Sequence, residues 1–563
     1  MAARRAHNPE AVGSSPTPAK FEASLFVQRG FFVFKWRFGR KFFVTKWQHL
    51  TSLIDRGRLA IYNFYMKDSS ILVIYNARLV DSKTDSSGAV LISGGKIRSV
   101  FLGDFSNEAD ARKIVCSSFL GSFVSFGSSV SSVSSVSDGS SGESGRNEIS
   151  FYDAGGLVLM PSFIDMHAHF RYPGQAEKED LDSGLHAAVA GGFGTLVLMP
   201  NTKPVISTKE QAESVMDEAK GKSLARIFQT ISITKDFEGT DVSGIDGITP
   251  EEFPVITEDG HDVGSSFVML QGMKKVGEKG IIVSCHCEDV DLAQAAKPYR
   301  QRALGFMKQY GIPAGKIQVK TPDVPSSVNF EIDGNFATAN QILALAEDVA
   351  TMRNIEIAKL AKAHVHICHC STKASMDAVR RAKADIRAGL TPEGFDCTVE
   401  VTPHHLSMHG TDAPYTRALV NPPLRSEDDR RAVIEALRDG TADCIATDHA
   451  PHTQEDKAAG SPGFTGLEIA FAVCNTVLVK KEGFSLSKLS ELMSENPARL
   501  LKIDSGRLLP GLNADLVLVD PDEQWIVNPE NFYSKGKSTP LEGQKLTGKV
   551  CATFFGGKKV FGM

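Results

Sequence analysis

The clearest indication of the fold is VLMPSFIDMHAH at residues 158–169, where an apolar run ends in two histidines separated by one residue. Alternate residues of a strand point to the same side, so His167 and His169 can face one metal ion. A lone pair of this kind is weak evidence. Its position at the end of an apolar run, directly before Arg171, makes it a candidate site at the carboxyl end of a sheet.

Seven further apolar runs also end in polar residues that can carry out chemistry. With the first, the eight runs are 158–169, 195–200, 227–234, 253–259, 281–288, 364–371, 398–405 and 444–449. Helix-like segments lie between most of them, including 209–220, 338–363 and 427–438. Eight such units predict an α/β fold of the (β/α)8 TIM-barrel type, in which catalytic residues lie where the strands end.

The two ends of the chain predict a second, smaller part. Short strand-like segments at 70–156 and 505–563 predict a composite β-sandwich domain made from both chain ends. It carries a Ser-rich insertion at 107–148, which we expect to be disordered because it has too little apolar surface to bury. The barrel takes 157–500, with an insertion at 290–336 that is longer than an ordinary loop of this fold.

Charge and composition exclude several classes of protein. The chain has 62 Lys and Arg against 67 Asp and Glu, a net charge of −5, which argues against nucleic acid or an anionic membrane as the partner. No window approaches 18 consecutive apolar residues, so we expect no membrane span. Nine Cys form a sparse, odd set that fits a reducing compartment, and we expect a cytoplasmic protein.

Residues 1–66 differ from the rest of the chain, with 11 Lys or Arg and only three acidic residues. We interpret them as a basic extension, either disordered or a leader included through a misplaced start. Arg-rich, acid-poor leaders can also be transit peptides, so organellar targeting is an open alternative.

Three other runs end in candidate metal ligands. His286 ends the fifth run, His369 the sixth and Asp448 the last. Neutral imidazoles with carboxylates suit a hydrolytic zinc site that keeps open positions. Asp448 can also act as a general base, although taken alone it would fit a helix N-cap equally well.

A site for two metal ions also needs a bridging ligand. Asp259 is our choice and Glu258 the fallback, since both end the fourth run and no lysine does. The pairs Cys285/Cys287 and Cys368/Cys370 offer a zinc–thiolate alternative. We disfavour it, because residues that flank a histidine on a strand point away from it and Cys is a common buried filler.

Together these motifs resemble the amidohydrolase superfamily and, more narrowly, its family of class I dihydroorotases. The resemblance covers about 70–520 and rests on HAHFRYPG at 167–174, MPNT at 199–202, EDG at 258–260, HCED at 286–289, HICH at 366–369, VTPHH at 401–405, NPPLR at 421–425 and DHAPH at 448–452. Two departures are Tyr172, where an acidic residue is usual, and Cys370, where a β-branched residue is commoner. Neither removes a proposed ligand.

The resemblance implies a role for each matching residue. His167, His169 and Asp259 would hold one Zn²⁺ with Asp448 near it, and His286 and His369 would hold a second, with Asp259 bridging. Asp448 would carry the catalytic proton. The implied substrate contacts are Arg171, Asn201 and His452 for the carboxylate, Asn421 for the ring, and the backbone of the 463–468 loop with Gly466.

The same resemblance implies the reaction and its setting. We expect reversible interconversion of N-carbamoyl-L-aspartate and (S)-dihydroorotate in de novo pyrimidine (UMP) biosynthesis, with two Zn²⁺ per subunit, or one as the alternative. It also implies a homodimer or higher homo-oligomer, and other enzymes of the pathway are candidate partners.

Two alternative functions stay open. An allantoinase, or a cyclic amidase of the hydantoinase/dihydropyrimidinase type, would tend to carry a bridging lysine and lack the combination of Arg171, Asn201 and His452. A non-catalytic scaffold relative would lack some of the metal ligands.

Overall fold

The computed structural model falls into two units, 1–69 and 70–563. It describes the backbone of three strands in the first unit and, in the second, residues 71–113, 149–312, 324–410 and 419–562. The Ser-rich insertion predicted at 107–148 lies outside the described residues from 114 onward, as do 313–323 of the insertion predicted at 290–336.

The first unit contains one described sheet. Strands β1 (Glu22–Gln28), β2 (Phe31–Phe38) and β3 (Lys41–Trp47) pair antiparallel in chain order. The three strands form a meander within the region that the sequence predicts to be a basic extension, either disordered or a leader. The rest of 1–66 lies outside the described residues, and its interpretation as an extension or leader stays a prediction.

The second unit opens with part of a larger sheet. Strands β4 (Ile71–Val80), β5 (Asp85–Ser93) and β6 (Lys96–Leu102) pair antiparallel, and β7 (Ile149–Asp153) and β8 (Val158–Pro161) each pair parallel with β4. Strand β8 is the start of the stretch at 158–169. It belongs to this sheet, although the division made from the sequence assigns residues from 157 onward to the barrel.

Eight parallel strands follow in chain order. They are β9 (Phe163–Ala168), β10 (Phe193–Leu198), β11 (Arg226–Gln229), β12 (Val255–Thr257), β13 (Ile282–Cys285), β14 (His364–Ile367), β15 (Asp396–Val401) and β16 (Cys444–Ile445). Strands β9–β11 form one parallel sheet and β12–β16 another. Every residue of β9 and β10 is buried, as is usual for parallel strands covered on both faces.

Backbone hydrogen bonds join the two parallel sheets at both seams. Thr257 N donates to Ile231 O at 3.2 Å, and His169 N donates to His449 O at 2.8 Å, beside a parallel bridge between Ala168 and His449. The eight strands therefore close on each other in chain order, as a (β/α)8 barrel requires. Their carboxyl ends meet at one mouth.

Helices connect the barrel strands. They are α1 (Leu181–Ala190), α2 (Lys209–Lys222), α3 (Ser266–Lys279), α4 (Val290–Gln309), α5 (Ser326–Ala361), α6 (Lys373–Arg387), α7 (Pro403–Ser407) and α8 (Glu427–Asp439). Helix α4 and the start of α5 occupy the insertion predicted at 290–336. They pack together through Ala303, Met307, Ile332 and Phe336.

Short helices follow the last barrel strand, and then the chain returns to the first sheet. The helices are α9 (Gln454–Ala458), α10 (Ala470–Cys474), α11 (Leu486–Ser490) and α12 (Asn496–Leu500). Strands β17 (Leu516–Ile526), β18 (Lys545–Phe555) and β19 (Lys558–Phe561) then complete an eight-stranded sheet of order β19-β18-β17-β8-β4-β5-β6, with β7 beside β4.

The composite part is thus one curled sheet made from both ends of the chain. Ile92 of β5 and Phe554 of β18 share a single buried core with Leu79 and Leu518, so distant strands of the sheet face each other across it. Within the described ranges, no helix is both long enough and apolar enough to cross a membrane.

Candidate active site

The Asp259 carboxylate lies at the centre of the barrel mouth, ringed by four imidazoles. Its Oδ1 lies 3.2 Å from His167 Nε2, 3.4 Å from His286 Nδ1 and 3.7 Å from His369 Nε2. Its Oδ2 lies 3.4 Å from His169 Nε2. The structure therefore brings together ligands predicted from four separate strands.

Asp448 lies on the other side of the two histidines of β9. Its Oδ1 is 3.2 Å from His169 Nε2 and 3.7 Å from His167 Nε2. Asp448 adopts a positive φ of 48° three residues after the end of β16, so the chain turns there and the carboxylate stays at the barrel mouth.

The donor atoms of this cluster fit a metal ion. His167 Nε2 and Asp259 Oδ1 are buried 3.2 Å apart, yet neither makes a hydrogen bond of acceptable geometry. Buried polar atoms normally find a partner, so two converging orphan atoms need an explanation. The groups His167–Asp259–His369 and His167–His169–Asp448 each bring three ligand atoms together, and because they share His167 they are alternatives for one ion.

Hydrogen bonds behind the imidazoles fix which nitrogen faces the centre. His167 Nδ1 lies 2.8 Å from Glu400 Oε1, and His169 Nδ1 lies 2.9 Å from Asn201 Oδ1. Both oxygens accept, so the proton sits on Nδ1 of each ring and the Nε2 lone pair points to the centre. This is the arrangement that a metal-binding histidine needs.

Glu400 was missed by the sequence analysis. This fully buried carboxylate of β15 also accepts from His369 N at 3.2 Å and lies 3.1 Å from His366 Nε2. Its signal in the sequence was an acidic residue inside the apolar run at 398–405, which taken alone says nothing about its partners. Glu400 supports two of the candidate ligands from beneath.

Burial and charge act against each other on the acidic groups of the site. Burial alone would raise the pKa of Asp259, but its contacts with the imidazoles of His167, His286 and His369 hold it well below its usual range. Burial would likewise raise the pKa of Asp448, but His169 and His167 lower it. Both carboxylates are therefore ionised at neutral pH.

A cavity of about 230 Å³ opens above this cluster. Of the predicted substrate residues, Arg171, Asn201, Asn421 and His452 line it. No lysine lies among its lining residues in the described part of the chain, which removes the main support for a lysine bridge.

Arg171 is a guanidinium without an acidic partner. Its Nε donates to Pro451 O at 3.3 Å and its Nη2 lies 3.2 Å from His452 Nε2, while no described carboxylate lies within ion-pair distance. Burial lowers the pKa of Arg171, but an arginine stays charged under all ordinary conditions. A half-buried cation facing an open cavity is an anion site.

Two predicted positions lie elsewhere. The N–H of Gly466 donates to His449 Nδ1 at 3.1 Å and so faces away from the cavity, whose lining takes Gly463 instead. Glu258, the fallback bridge, accepts from Thr234 N at 2.8 Å and from Thr234 Oγ1, so it serves the neighbouring strand.

Too few of the buried thiols lie near the cluster to form a zinc–thiolate site. Of the four Cys considered, only Cys368 lies within ligand distance of a cluster residue, beside His167 and Glu400. Burial raises the pKa of the Cys368 thiol to about 12, and its Sγ lies 2.9 Å from Ser284 Oγ. The thiolate interpretation receives no support from Cys285, Cys287 or Cys370.

Comparisons with known proteins agree with this geometry. The profile of the Amidohydrolase family matches residues 158–560. A dihydroorotase of Clostridium botulinum is 39% identical over 402 residues, covering 71% of this chain and 87% of that protein. Dihydroorotases of Bacillus subtilis and Desulforapulum autotrophicum are each 36% identical, covering 73% of this chain and 88% and 89% of their own lengths.

Solved structures show the same fold. An L-hydantoinase of Arthrobacter aurescens superposes with a TM-score of 0.65 at 22% identity, covering 87% of this chain and 96% of that one. A dihydropyrimidinase of Brevibacillus agri gives a TM-score of 0.62 at 17% identity, covering 87% and 95%. At these identities the likeness speaks for the fold alone.

Proposed function

Because the chain belongs to the amidohydrolase family and, within it, to the dihydroorotases, we propose that it interconverts N-carbamoyl-L-aspartate and (S)-dihydroorotate. The reaction opens or closes a cyclic amide, a step of pyrimidine biosynthesis. The proposal rests on one observation. The ligand cluster around Asp259 lines the same cavity as the Arg171 guanidinium, which has no acidic partner among the described residues. The substrate offers the matching parts, an amide to be cleaved and a carboxylate to be bound.

We assign the metal ligands as the sequence suggested them. His167, His169, His286, His369, Asp259 and Asp448 would hold two Zn²⁺ per subunit, with Asp259 between them. When bound, zinc supplies an activated hydroxide at neutral pH and polarises the ring carbonyl.

Asp448 is the group we propose to move the proton. It is ionised at neutral pH and lies beside His169 within the cluster, so it can accept a proton from the attacking oxygen nucleophile. As the C–N bond of the ring breaks, Asp448 returns that proton to the leaving nitrogen. Ring closure follows the same steps in reverse.

The remaining lining residues would bind and orient the substrate. Arg171 can donate two parallel hydrogen bonds to a carboxylate, with His452 beside it. Asn201 accepts a hydrogen bond from His169 Nδ1 through its Oδ1. Its Nδ2 packs against Gly260, and a Cβ atom on residue 260 would lie only 2.7 Å from that nitrogen. Asn421 also lines the cavity, and we assign it the contact with the ring.

The test is a substrate panel on the zinc-loaded protein. We expect turnover of dihydroorotate, and at least 100-fold lower kcat/KM for dihydrouracil, hydantoin and allantoin, since these neutral rings leave Arg171 unpaired. Asp448→Asn should reduce dihydroorotate turnover by at least a thousandfold while leaving the circular dichroism spectrum unchanged. Equal turnover of a neutral ring would favour the hydantoinase-type alternative, and near-normal turnover by Asp448→Asn would refute the assignment.

The wider setting follows from the same assignment. We propose a cytoplasmic homodimer or higher homo-oligomer that handles a small-molecule substrate, with other pathway enzymes as candidate partners. Light scattering of the zinc-loaded protein, alone and mixed with those enzymes, tests the assembly state.

A further inference from the structure

Lys457 and Arg300 hold the short segment 419–421, of which Asn421 lines the cavity. Lys457 Nζ donates to Leu419 O at 3.0 Å, and also to Ser461 O and Gly463 O at 2.8 Å each. Arg300 Nη2 donates to Val420 O at 3.4 Å. Lys457 is 2% exposed, so its three bonds belong to the framework of the cavity.

Arg300 makes a second and shorter contact, directly with a lining side chain. Its Nη1 donates to Asn421 Oδ1 at 2.7 Å. The reverse orientation of the amide would set the Nδ2 hydrogens against the guanidinium hydrogens, donor against donor. The contact therefore fixes the amide with Oδ1 on Arg300 and leaves Nδ2 to donate elsewhere.

No competing partner draws Arg300 away from this contact. Among the described residues, no carboxylate lies within ion-pair distance of its guanidinium, and its buried Nε makes no hydrogen bond. Burial lowers the pKa of Arg300 to about 10, which keeps it charged at neutral pH. A charged donor strengthens the bond to the amide oxygen.

We infer that Arg300 is a positioning residue that turns Asn421 into an obligate hydrogen-bond donor toward the cavity, so that the site selects a ring presenting a carbonyl acceptor there. This inference rests on the proposed function, because it assigns a specificity role to the substrate end of that same site. It also gives a role to helix α4, which the sequence marked only as an insertion.

The test separates ground-state recognition from chemistry. Arg300→Met keeps an unbranched apolar stem but removes the donors, and we expect KM for dihydroorotate to rise about tenfold with kcat within about twofold. Arg300→Lys retains one charged donor and should recover part of the loss. Arg302→Met, an exposed arginine of the same helix, is the matched control and should leave both constants unchanged.

A double-mutant cycle shows whether Arg300 acts through Asn421. The double variant Arg300→Met/Asn421→Ala should match Asn421→Ala within about twofold in KM, because the arginine has nothing left to position. Three results would each overturn the inference alone. They are effects of the two substitutions on KM that multiply in the double variant, a KM that is unchanged in Arg300→Met, and a fall in kcat and melting temperature without a change in KM. If the wild-type protein neither binds nor turns over dihydroorotate, the proposed function fails and the inference falls with it.

Discussion

Glu400 is the residue that orients two of the candidate metal ligands. Its two oxygens meet His167 Nδ1, His369 N and His366 Nε2, so one carboxylate supports two ligand-bearing strands. Glu400→Gln replaces one acceptor with an NH₂ group that faces another N–H. We expect zinc affinity to fall about 10–100-fold, with activity recovered by excess zinc.

Competition with a chromophoric chelator measures that change in affinity. Glu347→Gln is the control, because Glu347 is an equally buried carboxylate that binds Arg425 and Ser371 and no candidate ligand. It should lower stability without changing the zinc affinity of the folded protein. Equal affinities for wild type and Glu400→Gln would show that Glu400 is not needed to orient the ligands.

Sequence reasoning at the residue scale works best where a polar residue ends an apolar run. His167, His286 and Asp448 follow such runs, and the structure brings all three to one centre. Glu400 and Arg300 could not be found in this way, since one lies inside a strand and the other inside a helix of an apparent insertion. The contact of Glu400 with His167 spans 233 residues of the chain, and that of Arg300 with Asn421 spans 121.

Helix α1 gives a prediction at the scale of the element. Asp180 caps it by accepting from Ser183 N at 2.9 Å and also pairs with Lys535 of the C-terminal segment. Asp180→Ala should lower the free energy of unfolding by about 1–2 kcal/mol at pH 7, measured by urea denaturation. Asp182→Ala, in the same helical turn but exposed, should cost less than about 0.5 kcal/mol.

The charge of Asp180 also gives the prediction a pH dependence. Burial opposes ionisation, but Lys535 and the Ser183 N–H lower the pKa of Asp180 from 3.8 to about 2. A folded pKa below the unfolded one adds stability that is complete above about pH 5 and is lost as the pH falls from there toward 2. The gap between wild type and Asp180→Asn should thus stay constant above pH 5 and shrink below 4. A gap that grows on acidification would contradict this.

Element boundaries were predictable where periodicity and caps agree. The helices expected at 209–220 and 427–438 run from Lys209 to Lys222 and from Glu427 to Asp439, each behind a capping Thr or Ser. Helix α5 begins at Ser326, well before the 338 suggested by the sequence, because its first turns pack on α4. Because this contact is tertiary, the local sequence pattern does not indicate it.

Metal removal is a prediction for the molecule as a whole, since its candidate ligands come from five strands. Without a metal ion, two carboxylates and four imidazoles stay buried together, and His167 Nε2, Asp259 Oδ1 and His369 Nδ1 make no hydrogen bond. Chelation should therefore lower the melting temperature by several degrees, and zinc at 100 times its Kd should return about 2.7 kcal/mol of stability. Differential scanning calorimetry with and without a chelator measures this, and identical melting curves would argue against a metal that spans these strands.

The sequence predicts the architecture of the barrel more fully than that of the composite sheet. Eight similar apolar runs, from 158–169 to 444–449, each predict one strand of the barrel. The composite part was foreseen only as strands at both ends, and its pairing could not be derived because β8 looks like the start of the barrel. Whether a short strand joins the sheet before it or the barrel after it is decided by tertiary packing.

The position of β8 between β4 and β17 has a consequence for how the protein is made. Its pairing partner β17 begins about 350 residues later in the chain. At about 5–20 residues per second, a ribosome needs roughly 20 to 70 s to cover that distance. Throughout this interval the nascent chain carries an apolar strand with an open edge, which invites pairing with other chains. Synthesis of the last 50 residues then closes the sheet, so a ribosome that stops short releases an aggregation-prone product even though every candidate ligand has already been translated.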